Sequence, residues 1–308
     1  MIEDVKKLFS RIRSCSVWTL DLLRVSEERG KAKYAACHIT LDPPGSLREY
    51  VASLLEQYYQ GKKPILDNFS SCSDYDGYFM QETIYRLSSS SELVSQQFAA
   101  LTDALADPVN EANPLEFDAT AYVLSTTLDD LDGEQIPIKL FSIQAPLTKM
   151  KHRFLHDSNT FREIEDKVLC LKESVDVLIF GNVIYFLNMK GENLFAMDRA
   201  YRATCGKTIE EIRGMDICSN YSLFESTAMS GFNPRRFITF NRSRLKILSN
   251  PDTRSEKAAM FQLEVGADGR INTSDKTNAE KLIKVLCKKG MYDPFEEVPV
   301  EVPTSRKW

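Results

Sequence analysis

The 308 residues contain no apolar run near the roughly 18 consecutive residues that a helical membrane crossing needs. No Gly-x-Ser-x-Gly occurs, so the nucleophile elbow of an α/β-hydrolase is absent. Histidine is scarce, with only His38, His152 and His156. The seven cysteines, at 15, 37, 72, 170, 205, 218 and 287, form no Cys-x-x-Cys and are odd in number. That usage fits reduced thiols in a cytosol, and Cys170 and Cys287, set in apolar runs, read as small core residues. The opening MIEDVKKLFSRIR has acidic residues ahead of basic ones and no apolar h-region, so it does not read as a secretory signal. There is no internal repeat and no low-complexity tract longer than the serines at 88–91.

What is present is the composition of a globular chain, 43% apolar and 27% charged, long enough for one large domain or two ordinary ones. The net charge of −5 hides a segregation. Residues 40–135 hold 17 acidic and 4 basic side chains, whereas residues 231–257 hold 7 basic and 2 acidic. An isoelectric point near 5.5 excludes a protein that coats DNA all over, but it leaves room for a local polyanion site.

Periodicity predicts an amphipathic helix over Ile2–Arg13, then a strand pair, Val17–Val25 and Lys31–Ile39, joined through Ser26–Gly30. Ser46 is expected to cap a helix running to Tyr59. A strand is expected within Gly77–Leu87, and a helix after the serines to about Ala106. Ala119–Thr127 and Ile136–Gln144 read as strands around the turn Asp129–Gly133. The order lacks a regular βαβ alternation, so α+β is the expected class. A boundary near Thr148–Arg162 divides a mixed N-terminal domain, 1–150, from a C-terminal one, 163–308, carrying an antiparallel or mixed sheet flanked by helices. The spaced prolines of the C-terminal segment predict an extended conformation.

The densest information lies in Lys167–Ser249. Val168–Leu171, Val175–Phe180 and Val183–Leu187 read as three strands sharing a sheet, and Gly181-Asn182 suits a tight turn between the last two. A helix follows Phe195. The later run NPRRFITFNRSRLKILSN reads as a basic helix that ends at Asn250-Pro251. Phe237, Phe240, Leu245 and Leu248 occupy one face of it, with Arg235, Arg242 and Lys246 on another.

This order resembles the conserved domain of the B component of the Kiwa anti-phage defence system. The residues that carry the likeness are Asp176-Val-Leu-Ile, then Val183-Ile-Tyr-Phe-Leu-Asn188, Asn193-Leu-Phe-Ala-Met, the Tyr201 helix and the run Ala279–Tyr292. It covers Lys167 onward well and the first half loosely. Family members often place an acidic residue after the Phe where this chain has Phe195-Ala196, and that position is assigned no role. The resemblance implies a protein that acts on phage DNA, forms homodimers and docks on a transmembrane partner subunit. It would then be cytoplasmic and peripheral to the inner membrane through that partner. Phe232 and Tyr221 are the interface candidates.

Catalytic signals are weak by comparison. Cys205-Gly206-Lys207-Thr208 imitates the end of a phosphate-binding loop, but Tyr201 stands where a glycine is required. Thr208 is better read as the N-cap of Ile209–Arg213. Asp130-x-Asp132-Gly133 and Asp74-x-Asp76-Gly77 echo calcium loops without the remaining ligands, so both read as turns. His152 and His156 have a zinc-ligand spacing with no third partner in view. Glu165-x-Lys167 with Asp157 imitates half of a metal-dependent nuclease motif. A binding role without cofactor is therefore expected. A defence nuclease or a scaffold that does not bind DNA is the alternative. Arg235, Arg236, Arg242, Arg244 and Lys246, with Arg254 and Lys257 beyond the helix end, are the expected DNA-facing residues.

Overall fold

The computed structural model describes residues 2–28, 31–43, 45–60, 63–109, 114–129, 133–148, 154–157, 160–163, 168–293 and 298–301. Two compact units result: residues 1–74 with 79–196, and residues 75–78 with 197–308.

The first unit opens with helix α1 (Ile2–Ile12), strands β1 (Thr19–Glu28) and β2 (Lys31–Ile39), and helix α2 (Ser46–Tyr59). Next come β3 (Ser71–Asp74), β4 (Thr83–Ser88), α3 (Ser95–Ala106), β5 (Ala121–Asp129) and β6 (Gln135–Ser142). Short strands β7 (Leu147–Thr148), β8 (Phe154–Asp157), β9 (Thr160–Glu163) and β10 (Val168–Leu169) lead to β11 (Val177–Phe180), β12 (Val183–Phe186) and α4 (Gly191–Leu194). Eight strands form one sheet in the order β2-β1-β5-β6-β11-β12-β4-β3, antiparallel except for the parallel pair β3–β4. This is an α+β fold built on a mixed sheet.

Alternation decides which side chains meet. Leu20, Leu22, Tyr122, Leu124, Leu140 and Leu178 lie on one face and bury against Val5, Leu8 and Phe9 of α1 and Leu54, Leu55 and Tyr58 of α2. The intervening residues Leu23, Val123, Phe141, Val177 and Ile179 are buried as well, so both faces are apolar at the centre of the sheet. On that second side Gly191 admits no side chain. A Cβ there would sit 2.6 Å from both Phe186 and Val177.

Four expectations change here. The compact units do not divide at 148–162, because β11 and β12 pair with β6 and β4 and so complete the N-terminal sheet. Val168-Leu169 does not share that sheet; it pairs with Leu147-Thr148 in a separate two-stranded ribbon. Ser46 is the first helical residue of α2, and the N-cap is Gly45 at φ +113°, with no side-chain cap. Cys170 is exposed, whereas Cys287 is buried.

The second unit is helical: α5 (Met197–Arg213), α6 (Tyr221–Ala228), α7 (Asn233–Arg236), α8 (Arg242–Ser249), α9 (Pro251–Met260) and α10 (Lys276–Leu286). A hairpin of β13 (Gly290–Asp293) and β14 (Val298–Glu301) follows. Ile209, Phe224, Phe237, Leu245, Leu248, Leu282 and Leu286 meet in its core.

Candidate functional site

The basic run does not form one helix. Pro234 starts the single turn of α7, and residues 237–239 tighten into a 3-10 turn. Asn241 then restarts the chain as α8: its side chain accepts the amides of Ser243 (2.9 Å) and Arg244 (3.2 Å), which leaves residue 241 itself extended. Asn250 does the same for α9, accepting the amide of Asp252 at 3.1 Å, with Pro251 in the first turn. The common helical face expected for Arg235, Arg242 and Lys246 therefore does not exist.

Most of the seven cations have protein partners. Arg235 is only 8% exposed, donates from Nη2 to the Tyr75 hydroxyl at 3.2 Å, and lies over the rings of Tyr201 and Phe232. Arg236 is half-buried and donates to Asn233 Oδ1 at 2.8 Å. Arg244 donates from Nη1 to the carbonyls of Val285 (2.6 Å) and Gly290 (2.9 Å), closing the C-terminal end of α10. Arg254, 6% exposed, closes α8 in the same way, bonding Leu248 O (2.7 Å), Ser249 O (3.1 Å) and also Gly269 O (2.8 Å). The last carbonyls of a helix have no partner within it and carry partial negative charge, so a guanidinium is a natural cap.

The solvent side keeps Arg242, Lys246 and part of Lys257. Arg242 reaches both oxygens of Glu211, at 3.1 and 3.2 Å, and Lys257 pairs with Glu256 at 2.7 Å. Exposed pairs of this kind are worth at most about 1 kcal/mol, so both cations remain exchangeable for phosphate. The charge asymmetry follows the compact units: the helical one holds 19 basic and 16 acidic side chains, the sheet unit 20 and 28.

The other sequence candidates are distributed without convergence. Cys205 to Thr208 lie inside α5, and Thr208 is no N-cap: its hydroxyl donates to Thr204 O at 2.9 Å. Asp74 accepts Arg86 Nε at 2.7 Å, and Asp76 accepts the Tyr78 amide at 3.0 Å. His156 and Asp157 fall in β8, whereas Asp130, Asp132, His152, Glu165 and Lys167 lie outside the described residues. Among the described residues no group of three or more His, Cys, Asp or Glu is placed to hold a metal. Phe232 is 51% exposed, while the Tyr221 hydroxyl points inward, accepting the amides of Ile217 and Cys218.

Two polar pairs join residues that no sequence motif brings together. Asp21 is buried beside His38, with Oδ1 3.1 Å from Nδ1, and burial pushes its carboxyl above the usual range. Lys289 is fully buried against Asp76. Residues 17 and 213 apart made these pairs, a separation at which no local pattern gives warning.

Residues 139–289, just under half of the chain, match the family model described as Kiwa protein KwaB-like. Over these residues the chain is similar to the KwaB-like family. No curated protein and no solved structure matches the chain. The KwaB-like region begins within β6, takes in β11 and β12, and runs through α10 to Lys289. Among the described residues no helix is long and apolar enough to cross a membrane.

Proposed function

We propose that this KwaB-like protein serves Kiwa defence by binding rather than catalysis, engaging phage DNA through its helical unit while docked, as a homodimer, on a membrane-embedded partner. The observation that carries the DNA part is the partition of charge: the unit with a positive balance displays Arg242, Lys246 and Lys257 toward solvent. None of them is accompanied by a cluster of base-reading Asn or Gln, so contact is to phosphates and insensitive to sequence. Three neutralised phosphates correspond to a salt slope of about −2.7 on duplex DNA, from roughly −0.9 for each. A gel shift of full-length protein on unrelated duplexes at two salt concentrations tests this; equal affinity at both salts counts against it.

A scaffold that does not bind DNA is the second reading, and a specific observation favours it. Arg235, Arg244 and Arg254 are committed to internal partners, which leaves a thinner cationic surface than the sequence offers. Absence of retention at low salt selects the scaffold. The homodimer and the membrane partner rest on the family, and Phe232 is the exposed apolar residue that best suits a subunit contact.

A further inference from the structure

Four residues of the chain leave one unit and belong to the other. Tyr75–Tyr78 pack with the helical unit, although Asp74 and Phe79 on either side of them do not. Their reception is specific at each position. The Tyr75 hydroxyl meets that of Tyr201 and accepts Arg235 Nη2. Asp76 uses Oδ1 to take the Tyr78 amide at 3.0 Å, which shapes the turn, and turns Oδ2 to Lys289 Nζ at 3.5 Å. The Tyr78 ring lies 4.2 Å from the same ammonium. Gly77 adopts φ +81°, and a Cβ on it would stand 2.9 Å from both Arg235 O and the Ile238 side chain. Lys289 is 0% exposed and Arg235 8%.

Burying two cations carries a large desolvation penalty unless charge and hydrogen bonds offset it, and here the four-residue segment supplies the Asp76 carboxylate, the Tyr78 ring face and the Tyr75 phenol oxygen. Burial pulls the Lys289 ammonium's pKa down and Asp76 pulls it back up, as expected for a cation held in place by this segment. A buried ion pair replaced by apolar residues is often neutral or stabilising, so its best-attested use is to select a conformation. We propose that Tyr75–Tyr78 is an internal strap that masks Lys289 and Arg235, and that its release exposes both to a polyanion. Masking stands on the geometry alone; the polyanion as beneficiary rests on the DNA reading above.

The test uses the full chain. Acylation of lysines under native conditions, mapped by mass spectrometry, compares wild type with Asp76→Asn and Gly77→Val. Lys246 serves as the exposed reference. Lys289 is expected to be protected in wild type and to label roughly tenfold faster in either variant, the response to about 1.4 kcal/mol less closure. Hydrogen exchange should show amides of 233–236 opening while α10 stays protected. Lys289 protected in both variants overturns the strap. So does Lys289 opening only together with α10, since that is plain core unfolding. In the DNA arm each unmasked cation steepens the salt slope by about 0.9. Faster labelling with an unchanged slope removes the polyanion role, whereas loss of retention by wild type itself removes the DNA reading and leaves masking intact.

Discussion

Asp176 and Asn188 are joined side chain to side chain, the carboxylate Oδ1 accepting the carboxamide Nδ2. The other carboxylate oxygen accepts the amide of Ile143 at 2.6 Å, and Asn188 Oδ1 accepts the amide of Lys190 at 2.8 Å. One buried acid thus ties the end of β6 to the residues flanking β11 and β12. These are the two polar residues that bracket the strand motifs of the KwaB-like region.

Asp176→Ala leaves the half-buried Ile143 amide and Asn188 carboxamide short of their acceptor. The expected cost is about 2–4 kcal/mol of stability, since hydrogen bonds to charged groups outweigh neutral ones. Urea unfolding of full-length protein measures it; a loss within the scatter of surface substitutions would show that water replaces the contacts.

Arg254→Met should behave as a stability variant and not as a DNA variant. Three carbonyls lose their donor at once, and roughly 2–3 kcal/mol is expected to be lost. Duplex affinity of the folded fraction should be unchanged. A selective loss of affinity with full stability would place Arg254 at the interface after all.

Arg242→Glu with Lys246→Glu should do the reverse. Both side chains are exposed, so thermal stability should stay within about 1 kcal/mol of wild type. Retention on duplex DNA should fall and the salt slope should flatten by about 1.8. Unaltered retention would locate DNA contact elsewhere.

The Asp21 carboxyl makes stability depend on pH in a stated direction. Burial raises its pKa above the unfolded value of 3.8, and the His38 contact only partly offsets this. The folded state therefore holds the proton more tightly. That contribution is complete below pH 3.8 and is lost as pH rises through the folded pKa. Asp21→Asn should accordingly gain on wild type between acid and neutral pH in urea midpoints. A constant difference across that window would contradict it.

Thiol reactivity should follow burial. Cys205 and Cys218 are pushed up to about 12 by desolvation, and Cys287 is pushed up further in the same direction. Cys170 is exposed. Native alkylation should mark Cys170 first and leave these three unmodified until the protein unfolds.

Local pattern was enough for much of the fold. The apolar spacing of residues 2–12 marks α1, and the short apolar runs in Leu20–Leu23 and Val177–Phe186, the latter divided by Gly181-Asn182, mark β1, β11 and β12, because such runs and turns are properties of the chain itself. The end of α8 was legible too, in Asn250-Pro251. The Asn241 break was equally local, a cap residue ahead of a helical stretch, yet the amphipathic pattern running across it concealed the signal. The likeness to the KwaB-like family was also legible, because its apolar strand motifs are linear.

The orientation of the arginines belongs to tertiary structure alone. Arg244 turns inward because the carbonyl end of α10 lies 41 residues away in sequence and needs donors. Arg254 turns inward for the ends at Ser249 and Gly269, and Arg235 for the phenol of Tyr75, 160 residues distant. A positive charge in a sequence reports only that a cation is present. Whether it faces solvent depends on which unpaired carbonyls and carboxylates the fold brings beside it, and those are chosen by contacts that no local window contains.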